Sequence, residues 1–197
     1  MTTHTQFVVD IEATARTDNG VVTRIAITPF RFNEGVLSYE ELFNRTLYIC
    51  IDQGAQRMAG RKNDESTDKW WSEQTEELRI QSLYPTDDDI SVENMFGECK
   101  RFLSRWNYHY TESFLWARNC GYEYGKLSHL NEQFMPGSKH VFNPWGWHEC
   151  KTFNYILTGG DTQKFSPVDG SDVFMYHNAR HDSARDAQRL IELWHQS

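Results

Sequence analysis

Long hydrophobic runs are missing: no stretch of the 197 residues approaches the ~20 apolar residues a helix needs to cross a bilayer. The start, Met1-Thr2-Thr3-His4-Thr5, lacks the basic and apolar regions of a secretory signal. Both absences predict a soluble, intracellular, cytoplasmic protein. Cysteine is sparse, at positions 50, 99, 120 and 150, with no Cys-x-x-Cys spacing, which argues against a zinc ribbon and predicts reduced thiols packed as small core hydrophobes. An excess of positive charge is also missing. With 20 Lys+Arg against 28 Asp+Glu the net charge is −8, the wrong sign for a module that grips long duplexes through many phosphates. Repeats, low-complexity tracts and Pro-rich linkers are absent. At 39% hydrophobic, the chain can bury a sizeable core as a single domain, residues 1–197.

What is present is a set of acidic clusters. Asp10-Ile11-Glu12 closes the hydrophobic run Gln6-Phe7-Val8-Val9, Glu123 ends Arg118-Asn119-Cys120-Gly121-Tyr122-Glu123, and His177 stands five residues before Asp182. The run before Asp10 reads as a buried strand, and at period two Asp10 and Glu12 point to one face. Two carboxylates crowded on one strand face repel unless protons or cations offset them, and a divalent metal is the commonest functional answer. A solvated strand end is the structural alternative for this cluster taken alone. Aromatic content is 14%, with seven Trp, which suits base stacking as well as a core.

In order and spacing, Asp10-x-Glu12, Asn119-x-x-Tyr122-Glu123 and His177-Asn178-Ala179-Arg180-His181-Asp182 resemble the three motifs of the DEDDh group of 3′-to-5′ exonucleases. Within that group, Ser66-Thr67 followed by Trp70-Trp71 and Gln74, then Trp116-Ala117-Arg118, then His181 before Asp182, look like the phage exonuclease A (DexA) family and the related mycobacterial-type 3′-to-5′ exoribonuclease domain. The likeness spans about residues 6 to 195. It implies an α/β, RNase H-like fold: a mixed five-stranded sheet, three antiparallel strands then two parallel, flanked by helices. The sequence departs from the family at Glu123, where the family has Asp. A common family segment after the second motif survives only as Cys150-Lys151-Thr152-Phe153, and Ala13-Thr14 stands where many members have Thr at once.

Patterning along the chain agrees. Gln6 to Ile11 reads as a first strand, Val21 to Phe32 as a long second one, and Leu47 to Ile51 as a third after the Asn33-Glu34-Gly35 turn. From Thr67 as cap, one helix is predicted through Trp70-Trp71 and Leu78 toward Tyr84, stopped by Pro85. Ser91 opens another, with Val92, Met95, Phe96, Cys99, Phe102, Leu103 and Trp106 on one core stripe, and Asp87-Asp88-Asp89 supplying cap and dipole charge. Ser113 to Ala117 reads as a strand, Tyr122 to Phe134 as a helix, Pro136 to Trp147 as a loop and Trp147 to Cys150 as a weak fifth strand. A flexible connection from Gly159 to Gly170 precedes a last helix from about Ala179.

Phosphodiester hydrolysis by water needs an activated nucleophile and charge relief at the leaving oxygen, which two divalent ions about 3.5–4 Å apart supply. All-oxygen ligands favour Mg²⁺, with Mn²⁺ substituting. The resemblance implies Asp10 as bridging ligand, Glu12 and Asp182 as ligands of the nucleophile-side ion, and Glu123 as a direct or water-mediated partner of the other. His177, in a loop that can swing, is the expected general base for the attacking water. Trp70, Trp71 and Gln74 are expected to line the nucleotide channel, although one of the paired Trp must face inward. Arg118, Asn119 and Lys126 are candidates for substrate contact. Asp186, one turn beyond Asp182, reads either as a partner of His or Arg or as a solvated face. The expected activity is release of nucleoside 5′-monophosphates from single-stranded 3′ ends, DNA ahead of RNA by likeness to the phage enzyme, in the host cytoplasm if the origin is phage. A homodimer is compatible with this reading. Two other classes stay open: a weakened relative that binds nucleic acid ends or a protein, and a non-nuclease metal-binding protein or inhibitor on the same fold.

Overall fold

The computed structural model describes residues 4–160 and 174–196. The chain enters as β1, Gln6–Ala13, whose alternate residues Phe7, Val9, Ile11 and Ala13 join one core cluster while Val8 joins another on the opposite face. It is paired antiparallel with β2, Val22–Phe30, every residue of which is buried, and β2 pairs antiparallel with β3, Leu47–Cys50. On its other side β1 pairs parallel with β4, Leu115–Ala117, which pairs parallel with β5, Trp147–Glu149. The sheet order is β3-β2-β1-β4-β5, the expected three antiparallel strands followed by two parallel. Asp10 and Glu12 therefore lie within the central strand, two residues further in than a strand ending at Ile11 allows. A bulge follows Glu12, where the register passes from Glu12↔Arg24 to Ala13↔Val22 and leaves Thr23 over; such bulges re-aim side chains beside active sites.

Buried polar groups on β2 need partners, and they have them. The Arg24 guanidinium donates to the carbonyls of Gln81, Thr23 and Tyr84, and Thr28 Oγ1 meets Thr46 and Ser183.

Helices cover both faces. One face packs against α5, Val92–Arg105, and α6, Cys120–Phe134, through Met95, Phe96, Phe102, Leu127 and Leu130. The other packs against α1, Tyr39–Arg45, α7, Cys150–Leu157, and α8, Ala179–Gln196, through Leu42, Cys150, Ala184, Ala187, Leu190 and Ile191. Ser38 and Glu41 form a capping box on α1. Of the cysteines, Cys99 and Cys150 are core residues and Cys50 and Cys120 half-buried, all reduced.

Several expectations need correction. The helix predicted from Thr67 to Tyr84 is two: α3, Glu65–Ser72, and α4, Glu76–Ser82, following α2, Gln53–Met58. Asp64, not Thr67, caps α3, accepting from the Thr67 amide at 2.8 Å, and Thr75 caps α4, so a second start signal lies inside what looked continuous. Ser91 caps α5 by itself, while Asp89 accepts from Thr86 and faces buried Arg24 at 4.0 Å instead of serving the helix. The helices α1, α2 and α7 were not foreseen, because six to eight residues are too few for periodicity to declare itself. Most of the connection expected from Gly159 to Gly170 lies outside the described residues. No helix among them is long and apolar enough to cross a membrane.

Candidate active site

Parallel β1 and β4 aim their carboxyl ends at one cleft of about 550 Å³, lined among others by Asp10, Glu12, Trp70, Glu123, His177 and Asp182. Three elements supply the acids: β1 gives Asp10 and Glu12, the first turn of α6 gives Glu123, and the first turn of α8 gives Asp182. Carboxylate oxygens of Asp10, Glu12 and Asp182 all lie within 4.8 Å of one another. Glu123 lines the cleft outside that trio; it is 4% exposed, and its Oε2 has no hydrogen-bond partner among the described residues. Burial comes first among the forces that raise the pKa values of these groups. It raises Asp10 and Glu12 well above the carboxylate range, with repulsion from Asp182 and Glu123 adding to both and repulsion from Asp10 adding to Glu12. Glu123 is pushed up to about 8 by burial, and Asp182 to about 6, with Arg185 working against the rise. Crowded, desolvated carboxylates with an orphaned oxygen fit a divalent cation.

Cationic side chains hold the far side. Asp186 is 2% exposed and bridges Arg118, at 3.0 Å, and Arg185, at 2.9 Å; Arg185 also reaches Asp182 Oδ1 at 2.9 Å. Asp186 is therefore an arginine partner, not a solvated face. His177 adopts a left-handed backbone, φ 61°, its amide donating to Asp182 Oδ2 at 2.9 Å and its ring edge-on to Trp70 with centroids 4.7 Å apart. Burial, then Arg118 and Arg185, lower the His177 pKa, leaving the imidazole neutral at working pH.

The two tryptophans divide their roles. Both line the cleft; Trp70 is half-buried there, while Trp71 is 2% exposed and donates from Nε1 to the Ala13 carbonyl at 3.1 Å, pinning the end of β1. Asn119 lines the cleft at the N-cap of α6 without a side-chain capping bond. Gln74 is not among the cleft residues; its amide bonds back to the Trp70 carbonyl at 2.9 Å. Lys126 is buried, donating to the Thr17 carbonyl with its ammonium 4.1 Å from the Tyr122 ring centre, so it supports α6 and does not face phosphate. His181 is buried too, its Nδ1 2.5 Å from the Tyr39 hydroxyl and its pKa lowered by burial to about 4. Tyr122 of the second motif also lines the cleft, while sequence reading missed Arg16 and Lys151, both at the cleft, and Arg185. Lys151 lies in a segment that departs from the family pattern, and Arg185 carried no motif signal.

Among solved structures the chain resembles the nuclease domain of 3′hExo, a DEDDh family member bound to rAMP, with TM-score 0.64 and 10% identity over 98% of this chain and 92% of that one. It also resembles cell-death related nuclease 4 (CRN-4), with TM-score 0.58 and 11% identity, covering 96% of this chain and 64% of that one. Both likenesses are of fold. No curated protein matches the sequence. The family model for the 3′-5′ exoribonuclease Rv2179c-like domain matches residues 5–197. The chain thus belongs to the Rv2179c-like 3′-5′ exoribonuclease domain family, a 3′-5′ exonuclease on an RNase H-like fold.

Proposed function

We propose that residues 1–197 act as one catalytic domain that shortens single-stranded RNA from its 3′ end and releases nucleoside 5′-monophosphates. The observation that carries this reading is the convergence of Asp10, Glu12 and Asp182 within 4.8 Å in the cleft that His177 also lines. Likeness to the phage enzyme inclines to DNA; the family's description as exoribonucleases, and rAMP in a fold relative, favour RNA. A cleft of about 550 Å³ has the size of a small-ligand site and suits a frayed end of about two nucleotides, not a duplex.

Asp10, Glu12 and Asp182 would hold one divalent ion and, with Glu123, share a second, Mg²⁺ or Mn²⁺; bound there, the ions supply water activation and charge relief at the leaving oxygen. His177, kept neutral by burial and neighbouring arginines, takes the proton of the attacking water on its ring. The bond from its amide to Asp182 ties the base to the acid cluster. Arg16 and Lys151 at the cleft wall meet the phosphates, and the Trp70 face orients the terminal base. Asp186 takes no part in contact; it holds Arg118 and Arg185 in place.

Matched RNA and DNA oligonucleotides, 5′-labelled, test the reading with Mg²⁺ and with Mn²⁺. A ladder receding from the 3′ end with monophosphate products, faster on RNA, is expected. Equal or faster cleavage of DNA moves the substrate to DNA, and internal cuts sink the exonuclease mechanism. Glu123, one methylene longer than the family's Asp and outside the trio that lies within 4.8 Å, favours a second reading, a weakened enzyme that chiefly binds ends. Under that reading Glu123→Asp raises single-turnover cleavage across a Mg²⁺ titration. If the site has adapted to glutamate, the same change lowers it by up to about 10²-fold.

A further inference from the structure

Beyond the cleft, the described residues bring a second group of ligating side chains together. His4 precedes β1, and His109 and Glu112 lie in the turn before β4, so the group sits at the amino ends of the two parallel strands whose carboxyl ends carry the catalytic cleft. From Gln6 to Glu12 the strand covers about 20 Å at ~3.3 Å per residue, which separates the two places. We propose that His4, His109 and Glu112 form a binding site for a borderline transition metal of the Zn²⁺ class.

Geometry supports this first. Zinc at ~2.1 Å from nitrogen and oxygen ligands in a tetrahedron sets ligand atoms about 3.4 Å apart. Here Glu112 Oε2 is 3.0 Å from His4 Nε2 and 3.6 Å from His109 Nδ1, and the three ligand atoms all lie within 4.8 Å of one another. An ordinary surface ion pair accounts for one imidazole on a carboxylate oxygen; it does not call for a second ring on the same oxygen, with ring centres 4.6 Å apart.

The backbone under these ligands is also set in advance. His4 offers its carbonyl to Gln6 Nε2 at 3.1 Å, and the Gln6 side chain in turn accepts from the Phe114 amide. In the turn, Glu112 N and Ser113 N donate to the His109 carbonyl at 3.0 and 2.8 Å, and the His109 amide donates to Ser113 Oγ at 3.0 Å. The side chains are 31%, 54% and 54% exposed, so an ion can enter and water can take a fourth position.

Two imidazoles and one carboxylate select Zn²⁺, Co²⁺ or Ni²⁺ over Mg²⁺, the opposite preference to the all-carboxylate cleft. An ion here would clamp the entry of β1 to the turn before β4 and stabilise the fold by mass action. The site does not depend on the nuclease reading.

Equilibrium dialysis of metal-stripped protein against Zn²⁺, with excess Mg²⁺ to fill the carboxylate centre, tests the proposal alongside His4→Ala, His109→Ala and Glu112→Gln. Wild type is expected to hold one zinc ion more per chain than any variant, and to show a zinc-dependent rise in Tm that the variants lack. Co²⁺ reads the geometry: intense visible absorption of tetrahedral coordination in wild type, lost in His109→Ala. Equal zinc retention and equal Tm shifts in all four proteins, or no zinc retained by wild type, overturn the site. Mg²⁺-dependent RNA cleavage unchanged in the variants shows that their folds are intact.

Discussion

Asp182 is gripped from two sides, by the His177 amide on Oδ2 and by Arg185 on Oδ1, whereas Asp10 faces other acids, with Arg118 easing the repulsion. The two ligands should therefore part company when neutralised. Asp10→Asn and Asp182→Asn should each lose about 10³-fold or more in cleavage, because each removes several kcal/mol of charge stabilisation. Without metal, Asp10→Asn should raise Tm by relieving repulsion, and Asp182→Asn should not, since it strips Arg185 of a partner; thermal scans in chelator compare them. Near-normal turnover in either variant would falsify the ligand assignment. His177→Ala should cost roughly 10²–10⁴ in rate with little change in metal affinity. A base acts when deprotonated, so the rate of the wild type rises with pH through the His177 pKa. Burial and two arginines lower that pKa from 6.5, so the acid limb of kcat/KM should lie below 6.5. A limb above 7 would remove His177 as the base.

Among the elements, α3 has two jobs. Trp71 reaches back to the Ala13 carbonyl at the bulged end of β1, one residue beyond Glu12, while Trp70 faces the cleft. Trp71→Ala should destabilise the protein by about 3–5 kcal/mol in urea unfolding, the cost of a buried aromatic, and lower metal affinity as the end of β1 loosens. Trp70→Ala should leave the unfolding midpoint near wild type and raise KM for RNA through lost stacking. A reversal of those two results would mean that the inward and outward tryptophans are misassigned. The paired Trp are visible in the sequence, yet which of them turns inward is not, because helical phase depends on the cap. Asp64 starts the helix earlier than Thr67 would, and Thr75 restarts the chain as α4.

For the molecule as a whole, the buried acids make stability depend on pH with an unusual sign. Asp10, Glu12, Glu123 and Asp182 all have pKa values raised by burial, to about 8 for Glu123 and about 6 for Asp182. The folded state then binds more protons than the unfolded chain, so the stability they contribute is present at low pH and lost as pH rises through those values. Metal-free protein should show Tm falling from about pH 5 to pH 8, and Mg²⁺ should flatten or reverse the trend; a metal-free Tm that climbs across this range would show that the acids are not buried together. The five strands, the α5 stripe and the three acidic motifs were legible in the sequence, because alternation, helical spacing and ligand chemistry are local properties of neighbouring residues; that three strands run antiparallel and two parallel followed from the family resemblance, and the sheet order came from the structure. Not legible were the fates of the near-duplicates. His177 and His181, Asp182 and Asp186, Arg118 and Lys126 look interchangeable along the chain, and only packing separates them. Facing β1 from the start of α8, Asp182 meets Asp10 and Glu12; one turn on, Asp186 is buried between Arg118 and Arg185, and His181 is closed in by Tyr39 and Phe43. Sequence by itself determined which chemistry the chain carries, since carboxylates and imidazoles are written residue by residue; the tertiary structure decided which of them meet, since burial and distance arise only when strands and helices far apart in the chain close on one cleft.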